Sequence, residues 1–186
     1  MKGKVGRAAT VLILVALASS CTKDGAEVSG IEGSRMDMQE AAERADGILD
    51  AVLAEIQPGV EWTHGPTTTG VCDVTRRRTV MTIVSAGRRG SFLGLVDRFW
   101  RKSKYRIKAV NDDVDVPAIF AQTGDGFGVS LIVGDKGQVF FEVDSPCVRE
   151  SDVADPVTKP SGPSYAGIEV IPRPNVHSDF WSAGAS

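Results

Sequence analysis

Histidine, cysteine and long apolar runs are all scarce in this chain of 186 residues. The two histidines, His64 and His177, do not lie at metal-ligand spacing from any of the three cysteines, which argues against a zinc site. The sequence contains no phosphate-binding loop, dinucleotide fingerprint or Gly-x-Ser-x-Gly elbow. It also has no apolar run of the about 20 residues that a membrane span needs. We therefore expect no metal, no cofactor and no transmembrane helix.

The first residues have the pattern of a secretion signal. Lys2, Lys4 and Arg7 form a basic start, and residues 8–18 form an apolar run that only a threonine interrupts. Small residues then lead to Cys21. A basic start, a short apolar stretch and small residues before the cleavage point are typical of export.

The segment that ends at Cys21 resembles the bacterial lipobox, in which the cysteine becomes the lipidated first residue of the mature protein. The match departs from the usual pattern, because Leu17 lies one position earlier than the lipobox leucine. Two acyl chains, such as palmitate, on Cys21 would suffice for stable anchoring. The sequence thus predicts a lipoprotein on the extracytoplasmic face of the cell membrane. The alternative is ordinary secretion with cleavage near Ser20, which would leave Cys21 as a free thiol.

The two remaining cysteines, Cys72 and Cys147, form one pair in an oxidising compartment, which favours a disulfide. Such a bond would close a loop of roughly 75 residues and contribute about 4 kcal/mol in the chain-entropy model. The functional alternative is a nucleophilic thiol at Cys72 with His64 as its base.

Composition and patterning divide the chain into four parts. Residues 1–20 are the expected signal, and 21–33 comprise the lipidated cysteine and a glycine-containing tether. Residues 34–150 carry the periodic segments of one domain. Residues 151–186 form a proline-rich tail, and we expect Phe180 and Trp181 in this tail to dock back on the domain because an isolated tail leaves such side chains unburied. The alternative is that the two aromatic residues anchor a partner.

Helical spacing of apolar residues predicts helices over 36–56, with Ser34 as N-cap, and over 91–102, after a turn at 87–90. Strand-like segments are expected at 71–73, 79–85, 105–110, 118–122, 127–133 and 139–144. This order favours an α+β fold: a mainly antiparallel sheet of about four to five strands with both helices on one face.

Positive charge is concentrated in residues 76–108, which contain eleven basic residues and one acidic residue, Asp97. One interpretation is a surface for anionic lipid or an anionic wall polymer. The other is that the acidic first helix and acidic loops cover these cations within the fold. Nucleic acid is a poor partner for an exported chain of net negative charge. The candidate contact residues are Arg76, Arg77, Arg78, Arg88, Arg89, Arg101, Lys102 and Lys104.

Two groups of acidic residues are candidate sites of other kinds. Glu142 and Asp144 lie two apart on one predicted strand and so share a face, as a pair of carboxylates that hydrolyses wall glycans would need. Asp112, Asp113 and Asp115 could bind calcium weakly, but their spacing does not match the EF-hand. The simpler explanations are that the first pair keeps an exposed strand face soluble and that the second group belongs to a solvated turn.

Several short segments carry a resemblance to known proteins: 61–64, 70–73, 77–81, 145–148 and 180–181. Through them the part of the chain after residue 34 resembles uncharacterised small lipoproteins of actinobacteria, of the streptomycete type, and more weakly a class of mycobacterial cell-wall lipoproteins. The resemblance implies a lipid-anchored α+β domain with one disulfide, and it brings no activity and no catalytic residue.

The function most consistent with these patterns is a non-enzymatic binding or interaction module of the cell envelope, anchored to the membrane by lipid. Its expected partner is another envelope protein or an anionic polymer. The alternatives are a module that binds anionic lipid or wall polymer through 76–108, and a hydrolase that acts on wall material.

Overall fold

Two helices and seven strands make up the described part of the chain, which comprises residues 36–134, 137–165 and 170–185 in a computed structural model. The expected signal peptide, Cys21 and the tether lie outside these residues. Neither described helix has the length and apolar character needed to cross a bilayer. The elements are α1 (Met38–Glu55), β1 (Trp62–His64), β2 (Thr68–Thr69), β3 (Val74–Val80), α2 (Ala86–Lys102), β4 (Arg106–Asn111), β5 (Ala118–Gln122), β6 (Gly128–Val133) and β7 (Val139–Asp144).

The strands form one open antiparallel sheet in the order β1-β3-β7-β6-β5-β4, with β2 also paired to β3. The predicted α+β class is therefore confirmed. The expectation of four to five strands was too low, because β1 and β2 have three and two residues and are too short to show alternation.

α1 begins with a capping box. The Asp37 side chain accepts a hydrogen bond from the Glu40 backbone amide, and Glu40 accepts one from the Asp37 amide, each at 3.0 Å. The helix starts two residues later than predicted because Asp37 is its N-cap. Ser34, the expected cap, lies outside the described residues. α1 packs over β3 and β7.

α2 begins earlier than the sequence indicated. Ser85 is its N-cap, and residues 87–90, expected as a turn, are helical. At the other end, Lys104 adopts a left-handed backbone with φ of 64°. Its amide donates to the Arg101 carbonyl at 3.1 Å, and the Tyr105 amide donates to the Trp100 carbonyl at 2.8 Å. This Schellman arrangement ends the helix and turns the chain directly into β4.

Both helices cover the same face of the sheet. Phe92 of α2 lies 6.2 Å from Phe141 of β7, measured between ring centroids. Phe141 pairs with Arg78 of β3, whose side chain bonds to Asp50 of α1. The core therefore fills the space between one helix layer and one sheet layer.

β3 lies at 74–80, whereas the sequence indicated strands at 71–73 and 79–85. Three consecutive arginines conceal its alternation, since a buried arginine counts as polar in a hydropathy pattern. The predicted disulfide between Cys72 and Cys147 is present, and it joins the start of β3 to the end of β7. Beside the disulfide, the Val148 backbone amide donates to the Cys72 carbonyl at 2.7 Å.

The end of the tail lies against the domain. Trp181 has 1% of its surface exposed, and its ring lies 5.1 Å from that of Phe92. Its indole Nε1 donates to the Pro58 carbonyl at 2.6 Å. Farther back, the Val176 carbonyl accepts from the Ile83 amide at 2.8 Å. The tail therefore contributes a large side chain to the same core as α2.

Replacement of Trp181 by alanine tests this contribution. We expect Trp181→Ala to lower the free energy of unfolding by about 3–5 kcal/mol, because it removes a buried ring and leaves a cavity. Phe180→Ala is the matched control, since Phe180 is 39% exposed and should cost much less. Denaturant unfolding measures both variants, and equal losses would contradict the docked position of Trp181.

Candidate functional site

Charged side chains lie beneath α1, at a position where cores usually hold apolar ones. Alternation along β3 directs Arg76 and Arg78 to the face that α1 covers, between Val74 and Val80. Asp46 of α1 and Asp50, one helical turn later, lie above them. The Arg78 side chain is 0% exposed. Buried cations of this kind require carboxylate partners.

The two aspartates supply these partners. Arg78 Nη1 lies 2.5 Å from Asp50 Oδ1, and Arg78 Nη2 lies 3.5 Å from Asp46 Oδ1. Arg76 Nε lies 3.2 Å from Asp46 Oδ2. The guanidinium of Arg78 also stacks on Trp62, with Cζ 3.9 Å from the ring centroid. We call Asp46, Asp50, Arg76 and Arg78 the buried ionic network.

Asp46 is the most enclosed carboxylate of this network. Burial raises the pKa of Asp46 above its ordinary value, and the charges of Arg76 and Arg78 act in the opposite direction. Its Oδ1 has no hydrogen bond among the described atoms, and Nη2 of Arg78 also has none, although the two lie 3.5 Å apart. The pair is therefore held by charge rather than by a well-aligned hydrogen bond.

The network extends to the tail and to β1. Arg76 donates from Nη2 to the Ala154 carbonyl at 2.7 Å and from Nη1 to the Thr67 hydroxyl at 2.5 Å. Thr158 donates from its hydroxyl to Asp50 Oδ2 at 2.9 Å. The Thr158 carbonyl in turn accepts from Nε2 of His64 at 2.7 Å. These bonds hold the tail at a fixed distance from β1.

A cleft of about 780 Å³ opens between β1, the segment after it and the tail. Its walls combine prolines with polar and aromatic groups, and His64 is part of the lining. One glycine shows how closely the tail approaches: a Cβ on Gly162 would lie 3.0 Å from the Trp62 carbonyl oxygen. The lining includes His64, Thr67, Pro156, Thr158, Lys159 and Tyr165.

A second, smaller depression of about 440 Å³ lies on the other side of Thr67. Glu150, Asp152 and Asp155 are among its lining residues, and Asp155 borders both hollows. Because Arg76 bonds to Thr67, the wall between the hollows is attached to the buried ionic network.

Two of the residues expected on an anionic-binding surface are not at the surface. Arg76 and Arg78 are buried, because alternation places them under α1 and the aspartates of that helix neutralise them. Arg77 points to the opposite face and pairs with Glu142 at 3.1 Å. The acidic first helix thus covers part of the basic stretch, as the second interpretation of that stretch anticipated.

The other expected contact residues divide into two groups. Arg88 lies over the Phe180 ring, with Cζ 4.2 Å from the centroid, and Arg89 is half-buried and donates from Nη1 to the Asp115 carbonyl at 3.4 Å. Arg101, Lys102 and Lys104 are exposed at the end of α2. Only this second group is available to a large anionic partner.

The carboxylate candidates have structural partners. Glu142 pairs with Arg77, and Asp144 accepts a hydrogen bond from the Thr75 hydroxyl at 2.6 Å. Asp113 accepts backbone amides within the loop before β5, which lowers the pKa of that carboxyl. No group of three or more metal-binding side chains occurs among the residues the structure describes.

The buried ionic network is the feature that sequence reasoning missed. Asp46 is buried in α1, although an aspartate in a helical pattern usually marks the exposed face. The available signal was spacing. Asp46 lies two helical turns before buried Leu53 and so borders the inward face of α1, and two arginines two apart must share one strand face.

Comparison of the chain with protein-family models, curated proteins and solved structures found no match.

A pair of neighbouring arginines tests the energetic role of the network. We expect Arg78→Met to lower the free energy of unfolding by about 3–5 kcal/mol, because Asp46 then stays buried with one cation fewer. Arg77→Met should cost under about 1 kcal/mol, since its pair with Glu142 is partly exposed. Denaturant unfolding separates the two. A cost for Arg78→Met no larger than that for Arg77→Met would contradict the role of the network.

Proposed function

We propose that the protein is a lipid-anchored extracytoplasmic lipoprotein, and that it acts as a non-enzymatic binding module whose ligand occupies the cleft beside His64. The basic start, apolar run and Cys21 support the anchor. The disulfide between Cys72 and Cys147 supports an oxidising compartment.

The cleft carries the binding part of the proposal. Its volume of about 780 Å³ lies within the range of ligand sites, which are concave and mostly preformed. Its walls are held by bonds to the buried ionic network, through Thr158 on one side and Thr67 on the other. A ligand would therefore meet an arranged surface and lose little free energy in ordering it.

Binding rather than hydrolysis is favoured by how the candidate catalytic groups are used. Cys72 is in the disulfide, Glu142 pairs with Arg77, and Asp144 bonds to Thr75. Nε2 of His64 bonds to a backbone carbonyl of the tail. Each group has a partner that stabilises the fold.

A photo-crosslinking side chain at Val157 tests the cleft. Val157 lines it and is 96% exposed, so the probe should not disturb the fold. In intact cells we expect a discrete adduct on irradiation, and Ser164→Trp, which fills the cleft, should abolish it. The matched control is the same probe at Val114, which is 71% exposed in the loop before β5. Equal adducts at both positions, or one that survives Ser164→Trp, would rule the cleft out.

Cell fractionation tests the anchor separately. Cys21→Ser removes the thiol that would carry lipid, so we expect the protein to move from the membrane fraction to the released fraction. Thr22→Ser is the control and should stay with the membrane. Retention of the Cys21 variant in the membrane fraction at the level of the control would refute lipid anchoring.

A further inference from the structure

Six cations of the basic stretch are exposed. They lie within eleven consecutive positions, from the last turns of α2 into β4. One of them, Arg101, pairs with Asp97 at 2.9 Å, and Arg106 bonds to the neutral amide of Gln122. We call this set the basic corner: Arg98, Arg101, Lys102, Lys104, Arg106 and Lys108.

Local geometry gathers these side chains. Residues 98, 101 and 102 have the spacing of one helix face, and that face is opposite the buried Val96 and Trp100. The Schellman turn at Lys104 leads at once into β4, an outermost strand of the described sheet. The cations therefore surround the corner where α2 meets the open edge of the sheet.

The register of the sheet shows which end this corner occupies. Arg106 of β4 is the strand partner of Gln122, and Gln122 is the partner of Gly128. The same row continues through Asp144 of β7 to Thr75 of β3. This end also holds the disulfide and the entry of the described chain, where the Arg149 amide donates to the Met36 carbonyl at 3.2 Å. The basic corner and the start of the domain thus share one end of the sheet.

Acidic groups mark the limits of the basic corner. The loop with Asp112, Asp113 and Asp115 follows β4 at the opposite end of the sheet. At the near end, Asp125 pairs with Arg44 at 2.9 Å. Exposed Asp73, Glu150 and Asp152 lie on the β3–β7 side, away from α2 and β4.

We infer that the basic corner docks on the anionic headgroups of the bilayer to which the protein is anchored. This inference rests on the proposed anchor: Cys21 lies 15 residues before Met36, so the chain between them spans at most about 50 Å. None of the six cations lines either of the two hollows described above, so their charges are not engaged there.

Docking of this kind orients the domain. The corner faces the leaflet, and the acidic loop after β4 is repelled from it. The cleft beside β1 lies at the other edge of the sheet from β4, and it stays open to the solvent. Attraction of each cation to an anionic leaflet decays within a Debye length, about 8 Å at physiological salt.

Residue-resolved lysine acetylation tests the docking. The full chain is added to phosphatidylcholine vesicles with or without phosphatidylglycerol, and a water-soluble acetylating reagent is followed by mass spectrometry. We expect the rates at Lys102, Lys104 and Lys108 to fall about fivefold or more on the anionic vesicles only, and to recover in high salt. Lys159, in the cleft, is the internal control and should not change.

Arg98→Gln removes one cation and leaves the three reporter lysines intact. It should weaken docking about fivefold, since each basic group near an anionic leaflet contributes about that factor in affinity. Arg173→Gln alters the net charge equally and should leave the protection unchanged. Equal lysine rates on the two kinds of vesicle, or equal effects of the two variants, would overturn the inference. Sedimentation with neutral vesicles reports the anchor independently, so failure of the anchor is distinguished from failure of docking.

Discussion

The pairing of Arg78 with Asp46 and Asp50 is the constraint on which the rest of the structure depends. A guanidinium enclosed within a core is tolerated only when carboxylates neutralise it. This requirement fixes the rotation of α1 about its axis and its position along β3, because both aspartates must reach one strand. Apolar packing is non-directional, whereas ion pairs act between defined partners and so constrain where α1 lies against β3.

The same pairing connects the core to the cleft. Asp50 accepts bonds from Arg78 beneath it and from Thr158 of the tail, and Thr158 also holds His64. A change in the core is therefore transmitted to the cleft wall through one carboxylate. The described part of the tail, residues 151–165 and 170–185, contains no helix or strand and obtains its position from this network and from Trp181.

The sequence predicted the parts of the fold that follow from local periodicity. β5 and β7 lie at their predicted positions because alternation and turn residues mark them. β3 was misplaced because arginines in a strand pattern indicate an exposed face, whereas Arg76 and Arg78 are buried. β1 was missed because three residues are too few to show an alternating pattern. The cleft could not be predicted, since it forms between β1 and a tail about a hundred residues later, and their contact is a tertiary property.

The junction between the tether and the domain has a mechanical consequence. The chain enters beside Arg149, two residues after Cys147, which is covalently joined to Cys72. In the proposed anchored form, tension on the residues before Met36 reaches the sheet through the hydrogen bonds of Arg149 to Met36 and Met38, beside the cross-link between β3 and β7. Both are inner strands, with hydrogen bonds on two sides to share the force. An outer strand is hydrogen-bonded on one side only, so its backbone hydrogen bonds would break one after another. The described chain thus begins beside a covalent cross-link that joins two inner strands.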